Sequence, residues 1–225
     1  MHSTSIGKIT EELINRSPFL RESMTENLIN ISALARKLQP EIEQLMGRPV
    51  KEGAIVMAIK RLEPGLYHKL NLRIKNVLGE WGDFLIRSNL SDYTLLNSTT
   101  LTERLSHLTK IVSEDKNAFF SLCKSTSETT IIISDEYRFL MEGICSEEQL
   151  IHTSSNLSSI TVQLPIKNKD VYGIYYYILK QLAWEGINIL EVVSTANEFT
   201  AIVNQTEVDK AFKILIQMKR GDQLI

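Results

Sequence analysis

Cysteine is scarce. Cys123 and Cys145 are the only two in 225 residues, and neither belongs to a C-x-x-C pair, so zinc and dithiol redox chemistry have no ligand pattern to rest on. Both are read as small hydrophobes of the interior. The four histidines, His2, His68, His107 and His152, are scattered singly without metal-ligand spacing and are read as surface residues. Gly7-Lys8-Ile9-Thr10 contains a Gly-Lys pair but no upstream glycine turn to cradle a phosphate. A nucleophile elbow and a dinucleotide glycine fingerprint are missing as well. The expectation is a protein with no catalytic residues, no metal and no cofactor. No apolar run approaches the length of a membrane span, and MHSTSIGKITEEL lacks the apolar stretch of a secretory signal. A cytoplasmic protein without a membrane partner is expected.

What the chain does contain is ordinary globular material: 43% hydrophobic and 23% charged residues, enough for two or three small domains with real cores. The net charge of −2 is unevenly spread, with about +3 over residues 1–80 and about −5 over the remainder. The two parts therefore suit different partners.

The last seventy residues carry the clearest pattern. Ile160 to Leu164 reads as a strand, followed by the loop Pro165 to Asp170, with Asp170 placed to cap a helix. Val171, Ile174, Tyr175, Ile178, Leu179 and Leu182 then recur at helical spacing, and Gly186 ends the run. Ile187 to Val193 and Phe199 to Val203 are β-branched segments that predict an antiparallel hairpin. A second helix bears Val208, Ala211, Phe212 and Leu215, with Thr206 and Asp209 spaced like a capping box. The order is βαββα, and a closing strand at Gln223-Leu224-Ile225 would complete βαββαβ.

Sliding the chain against itself by 70 residues matches the preceding segment without a gap. Phe119 to Ser125 falls on Ile189 to Thr195, Glu128 to Ile133 falls on Glu198 to Val203, and Leu101, Leu105, Leu108 and Val112 fall on Val171, Tyr175, Ile178 and Leu182. The first copy reads as degenerate: Tyr137 to Ile144 is a short stand-in for its second helix, and Ser146 to Ser159 a polar connector.

Tyr172-Gly173 leading into a helix, Glu185-Gly186-Ile187-Asn188-Ile189, Val193-Ser194-Thr195, Phe199-Thr200-Ala201-Ile202-Val203 and Asp209-Lys210-Ala211 together resemble the ACT domain of aspartokinase regulatory regions. The resemblance covers roughly residues 90 to 220. Val171-Tyr172-Gly173 departs from the family's usual Pro-Gly-Val. It implies modules that pair side by side and hold a small effector, an amino acid, at Asn168, Asp170, Val171, Tyr172, Gly173, Asn188 and Ile189. Physically, amides opening a helix favour a carboxylate, and an extended segment can receive an ammonium group. The same residues also have plain structural readings, with Asp170 a cap, Gly173 a close-packing site and Asn188 a strand entry. The kinase domain that precedes such modules in aspartokinases has no counterpart here, so the resemblance implies regulation without the enzyme.

In the N-terminal eighty residues, Ile9 to Ile14 and Leu28 to Ile31 suggest a helix and its connection. Ser32 opens a stronger helix through Leu34, Leu38, Ile42 and Leu45, kinked or restarted at Pro40. Lys51 to Leu62 reads as a third helix with Ile55, Ile59 and Leu62 inward. With short strands at Leu85-Ile86-Arg87 and Tyr93-Thr94-Leu95, this order resembles a winged helix-turn-helix, which would leave Arg48, Lys51, Lys60 and Arg61 for DNA phosphates. A helical dimerisation or docking element has the same signature, and the third helix offers few side chains to read base edges.

The sequence thus predicts an α+β chain. A helical, winged-helix-like domain (1–80) precedes two tandem ferredoxin-like βαββαβ modules of ACT type, the degenerate first at 83–145 and the second at 160–225, joined by a connector at 146–159. Its expected role is non-enzymatic regulation by a small-molecule effector in a homodimer paired through the modules. The alternatives are an effector-responsive DNA-binding regulator, and an adaptor that uses the modules only to dimerise.

Overall fold

The computed structural model describes residues 5–62 and 66–221, and the chain divides into two compact units between Arg73 and Ile74.

Among the described residues the first unit is helical. Helix α1 (Ile6–Asn15) is capped by Ser5, and α2 (Pro18–Thr25) opens on a proline, where a missing N–H costs nothing. Helix α3 (Ile31–Met46) is capped by the Asn30 side chain, which accepts from the Ala33 amide at 3.0 Å, and ends at Gly47 in the left-handed conformation. Asn30, not Ser32, is therefore the cap, and α3 runs through Pro40 as one helix. Helix α4 (Glu52–Lys60) follows. Ile9, Leu13, Ile14, Leu34, Ala35, Leu38, Ile42, Val50, Ile55 and Ile59 make one core from the apolar stripes of α1, α3 and α4. The short strands expected to form a wing belong elsewhere: Leu85 to Leu95 lies within a single thirteen-residue strand of the second unit.

Helix α5 (Leu66–Gly79) carries the chain from one unit into the other, and sequence reasoning overlooked it. From Ile74 onward its inward residues, Ile74, Val77 and Leu78, join Trp81 in the main core of the second unit.

That unit is built on a six-stranded antiparallel sheet in the order β2-β3-β1-β4-β6-β5. Its elements in chain order are β1 (Phe84–Leu96), α6 (Leu101–Val112), β2 (Phe120–Lys124), β3 (Glu128–Ser134), α7 (Arg138–Glu147), β4 (Leu150–Gln163), α8 (Ile174–Trp184), β5 (Ile189–Ser194), β6 (Glu198–Asn204) and α9 (Val208–Arg220). The 70-residue repeat is visible as structure: β3 maps onto β6, the 3₁₀ turn Asp135–Tyr137 onto Gln205–Glu207, and the start of α7 onto the start of α9. The first copy's second helix is thus a full ten-residue α7 rather than a stand-in. The capping box expected at Thr206 does not form, because the 3₁₀ turn occupies those residues and α9 begins after Glu207 without a side-chain cap.

The two copies share strands. Leu90 to Leu96 of β1 pairs with β3 and with the first half of β4, while Leu157 to Gln163 of β4 pairs with β6. The place beside β4 that a closing strand of the second copy would take is filled by Phe84 to Arg87, which pairs with Ser159 to Val162. The strand expected at Gln223-Leu224-Ile225 lies outside the described residues. The polar stretch expected as a connector supplies the end of α7 and the first ten residues of β4. It is polar because strand pairing and local bonds satisfy it. Thr153 donates to the Asp92 carbonyl at 2.9 Å, and Ser158 donates to Ser88 Oγ at 3.2 Å.

Each copy buries its helices against one face of its half-sheet. Leu101, Leu105, Leu108, Val112, Met141 and Ile144 cover Tyr93, Leu95, Ile131 and Ile133. Ile174, Ile178, Leu182, Ala211, Ile214, Leu215 and Met218 cover Ile160, Val162, Phe199, Ala201 and Val203.

Candidate functional site

Where the two copies differ most is between the first strand and the first helix. In the first copy four residues, 97–100, make that link, and α6 starts at Leu101. By the 70-residue shift its partner helix would start at Val171, yet α8 starts three residues later, at Ile174. Residues Ile166 to Asp170 form a 3₁₀ turn, and Gly173, with φ of +84°, turns the chain into the helix. A left-handed φ at this position is natural to glycine and strained for other residues.

Displacing that first turn opens a cavity of about 460 Å³ lined by Asn168, Val171, Gly173, Ile174, Tyr175, Tyr176, Thr195 and Ala196. The amides of the first turn of α8 carry no side-chain cap. Asn168 is only 7% exposed and its amide donates to the Ala196 carbonyl at 3.3 Å, tying the loop to the β5–β6 turn. Tyr175 bonds Ser194 through its hydroxyl at 2.5 Å and packs against Phe199 with ring centroids 5.5 Å apart. The lining combines apolar side chains with the Asn168 amide and the hydroxyl-bearing Tyr175, Tyr176 and Thr195 beside an uncapped helix start, an arrangement suited to an anionic head group beside an apolar body.

The corresponding corner of the first copy is closed by its own side chains. Asn97 donates to the Ser125 carbonyl at 2.9 Å and accepts from Thr129 at 2.6 Å. Ser98 Oγ accepts from the Leu101 amide, capping the helix start. Ser98 and Thr100 each donate to Glu148 at 2.6 Å, and Arg104 Nε adds a bond at 3.2 Å. These hydrogen bonds hold the Glu148 carboxyl below its ordinary range. The first copy instead has a cavity of about 480 Å³ between α6 and α7, lined by residues that include Arg104, His107, Leu108 and Ile144.

Of the seven residues singled out from sequence, Asn168, Val171 and Gly173 line the cavity in the second copy. Asp170 is exposed at the end of the 3₁₀ turn and does not cap α8, because Gly173 occupies the cap position. Tyr172 is 76% exposed and absent from the lining. Asn188 and Ile189 stand at the opposite end of β5 from the lining residues Thr195 and Ala196, about 20 Å away along an extended strand. One chain does not bring them to the cavity. Tyr175, Tyr176, Thr195 and Ala196 were not anticipated as lining residues.

In the first unit Arg48, Lys51, Lys60 and Arg61 are all exposed. Lys51 and Arg61 stand at the two cap positions of α4, and the exposed residues between them are Gly53, Ala54, Met57 and Lys60. Apart from Lys60, that exposed surface offers no side chain able to read a base edge. Among the described residues no helix is long and apolar enough to cross a membrane. Cys123 is exposed on β2, and Cys145 is partly buried against the first copy's core.

No family model and no curated protein matches the chain. Solved structures do. The chain is similar to the aspartokinase alpha and beta subunits at 13% identity, over 62% of this chain and 98% of that one, with a TM-score of 0.50. It is also similar to the aspartate kinase of Clostridium acetobutylicum (15% identity, 60% of this chain, 34% of that one, TM-score 0.49). A third likeness is to the regulatory subunit of aspartate kinase from Thermus thermophilus (7% identity, 60% and 95%, TM-score 0.47). The chain spans about a third of the Clostridium enzyme and nearly all of the two subunit structures. At these identities the likeness is one of fold, that of the ACT-type regulatory part of aspartokinases.

Proposed function

We propose that this chain is a non-enzymatic regulatory protein whose second module binds an amino acid at the start of α8. The observation that carries this reading is the contrast between the copies: one first-helix start is sealed by Ser98, Thr100 and Glu148, and the other is open beside a cavity and a buried Asn168. The effector's carboxylate would meet the amides of α8, and its apolar body would lie against Val171, Ile174 and Ala196.

Asn188 and Ile189 enter the site through a second copy of the chain. Strand β5 is one edge of the sheet. Pairing two β5 strands antiparallel would set the start of one against the end of the other, and so Asn188 of one protomer near Thr195 of its partner. Effector bound there would hold the two protomers together, a differential affinity of the kind regulation requires.

A thermal-shift and calorimetric screen of the full chain against the twenty amino acids tests the reading. One of them raises the melting temperature, and Asn168→Ala removes the effect. Heat from none of the twenty, at millimolar concentration, would sink the sensor reading and leave a purely architectural role for the modules.

A further inference from the structure

The second unit has a polar junction that the effector reading does not use. Midway along β1 and β4, Ser88-Asn89-Leu90-Ser91 and Ser155-Asn156-Leu157-Ser158 repeat one tetrapeptide, and both asparagines have positive φ, 58° and 57°. Each lies in a bulge. Ser88 and Asn89 stand opposite Ser158 alone, and Ser155 and Asn156 opposite Ser91 alone, on either side of the pair Leu90 and Leu157. Asparagine tolerates the left-handed region better than other non-glycine residues, so the sequence places two bends at the point where one copy passes into the other.

The bends fold the helix-free faces of the two half-sheets toward each other. Leu90, Ile132, Leu157 and Ile202 form one buried cluster, and both edges of the sheet reach it, through Phe119 before β2 and through Leu190 and Val193 on β5. Strands β1 and β5 would lie about 14 Å apart in a flat sheet. Arg87 also donates from one half to the Asn117 carbonyl of the other at 3.3 Å.

Inside this junction lie two polar atoms without partners. Asp92 is 4% exposed and its Oδ1 has no hydrogen-bond partner; Ser159 is fully buried and its Oγ has none. Asp92 shares the face of Leu90, and Ser159 pairs in register with Ile202. The charged groups acting on Asp92 are Glu191 from β5 and His152 from β4, while its register neighbours, Ile132 on β3 and Ser154 on β4, do not titrate.

We propose that this junction is a proton-closed latch: with Asp92 protonated the two helix-free faces stay packed, and with it ionised they part about Asn89 and Asn156. An ionised Asp92 is a charge out of water that faces Glu191, whereas a neutral carboxyl both donates and accepts. Burial, followed by Glu191, pushes its pKa up to about 6, against 3.8 for an ordinary carboxyl. The proton therefore binds the closed arrangement more tightly, and linkage gives an opening constant that rises about tenfold between pH 5 and pH 8.

The test is thiol labelling of the full chain carrying Cys123→Ser and Cys145→Ser. Ser159→Cys reports on the junction and Ala201→Cys on the core beneath the helices, each rate being normalised to the unfolded chain at the same pH. We expect the Ser159→Cys thiol to react faster than the Ala201→Cys thiol throughout, with its opening constant rising about tenfold from pH 5 to pH 8. Adding Asp92→Asn abolishes the rise, and Glu191→Gln, which leaves Asp92 in place, reduces it. Equal rates at the two thiols would mean that only global unfolding exposes the junction. An unchanged profile in Asp92→Asn would remove Asp92 as the latch. Either result overturns the proposal.

Discussion

Two glycines in the same unit should respond to the same substitution with opposite sign. Gly143 is exposed in the middle of α7, and a Cβ built on it meets nothing within 4 Å. An alanine there gives up no packing and restricts the unfolded chain, so Gly143→Ala stabilises by about 0.5 to 1 kcal/mol. At Gly173 a Cβ has equally tolerable surroundings, its near neighbour being Ile74 Cδ1 at an ordinary 3.5 Å, but φ is +84°. The left-handed backbone makes Gly173→Ala cost about 1 to 2 kcal/mol. The two variants should differ by about 1.5 to 3 kcal/mol, roughly 3 to 12 °C in Tm for a unit of this size. Urea unfolding of both variants beside the unsubstituted chain measures this, with the m-value held constant as the check that the native state is unchanged. A neutral or stabilising Gly173→Ala would mean that the chain does not turn into α8 at residue 173. The helix could then begin where its counterpart begins, and the cavity on which the effector reading rests would close.

Phe199 is fully buried among the strands and helices of the second copy, so Phe199→Ala should cost about 3 to 5 kcal/mol in the same experiment; a loss under 1 kcal/mol would contradict that core. Glu148 has a depressed pKa in the folded chain, so its contribution is present above the ordinary carboxylate range and is lost as pH falls through the folded value. Glu148→Gln should accordingly lower the denaturation midpoint at pH 7 and leave it unchanged in strong acid, and a difference that persists there would show that charge is not the cause.

How much of this was legible beforehand depended on whether a segment's pattern was settled locally. The stripe Ile174, Ile178, Leu182 and the hairpin Ile189 to Val203 are periodic over several turns or residues, and the structure follows them. The repeat was readable because β3, the 3₁₀ turn and α7 keep a constant 70-residue offset from their counterparts. The start of α8 was misplaced because Val171 fits the helical stripe. The competing fact is Gly173, whose conformation a periodicity count does not see. Residues 150–159 were misread for a different reason. Their serines, threonines and histidine look like a linker, and only the pairing with β1, more than fifty residues away, makes them a central strand. The repeated Ser-Asn-Leu-Ser was present as a string, and its meaning depends on both copies meeting at one register pair, Leu90 with Leu157.

That shared register bears on how the pair of modules holds together. In a βαββαβ unit the fourth strand lies beside the first, and here each copy obtains that neighbour from the other end of the pair: β4 runs on from the first copy into the second, and β1 begins beside the second before entering the first. Neither copy has a complete sheet without the other, so the helices α6 with α7 and α8 with α9 stabilise two halves of one cooperative body. On the effector reading proposed above, the first copy's closed corner at Ser98 and Glu148 would serve as a fixed frame, and the open corner at Gly173 would be the part that responds. On the latch proposed above, the junction between them, with its two left-handed asparagines and the unpartnered Oδ1 of Asp92, is where a response in one half would pass to the other.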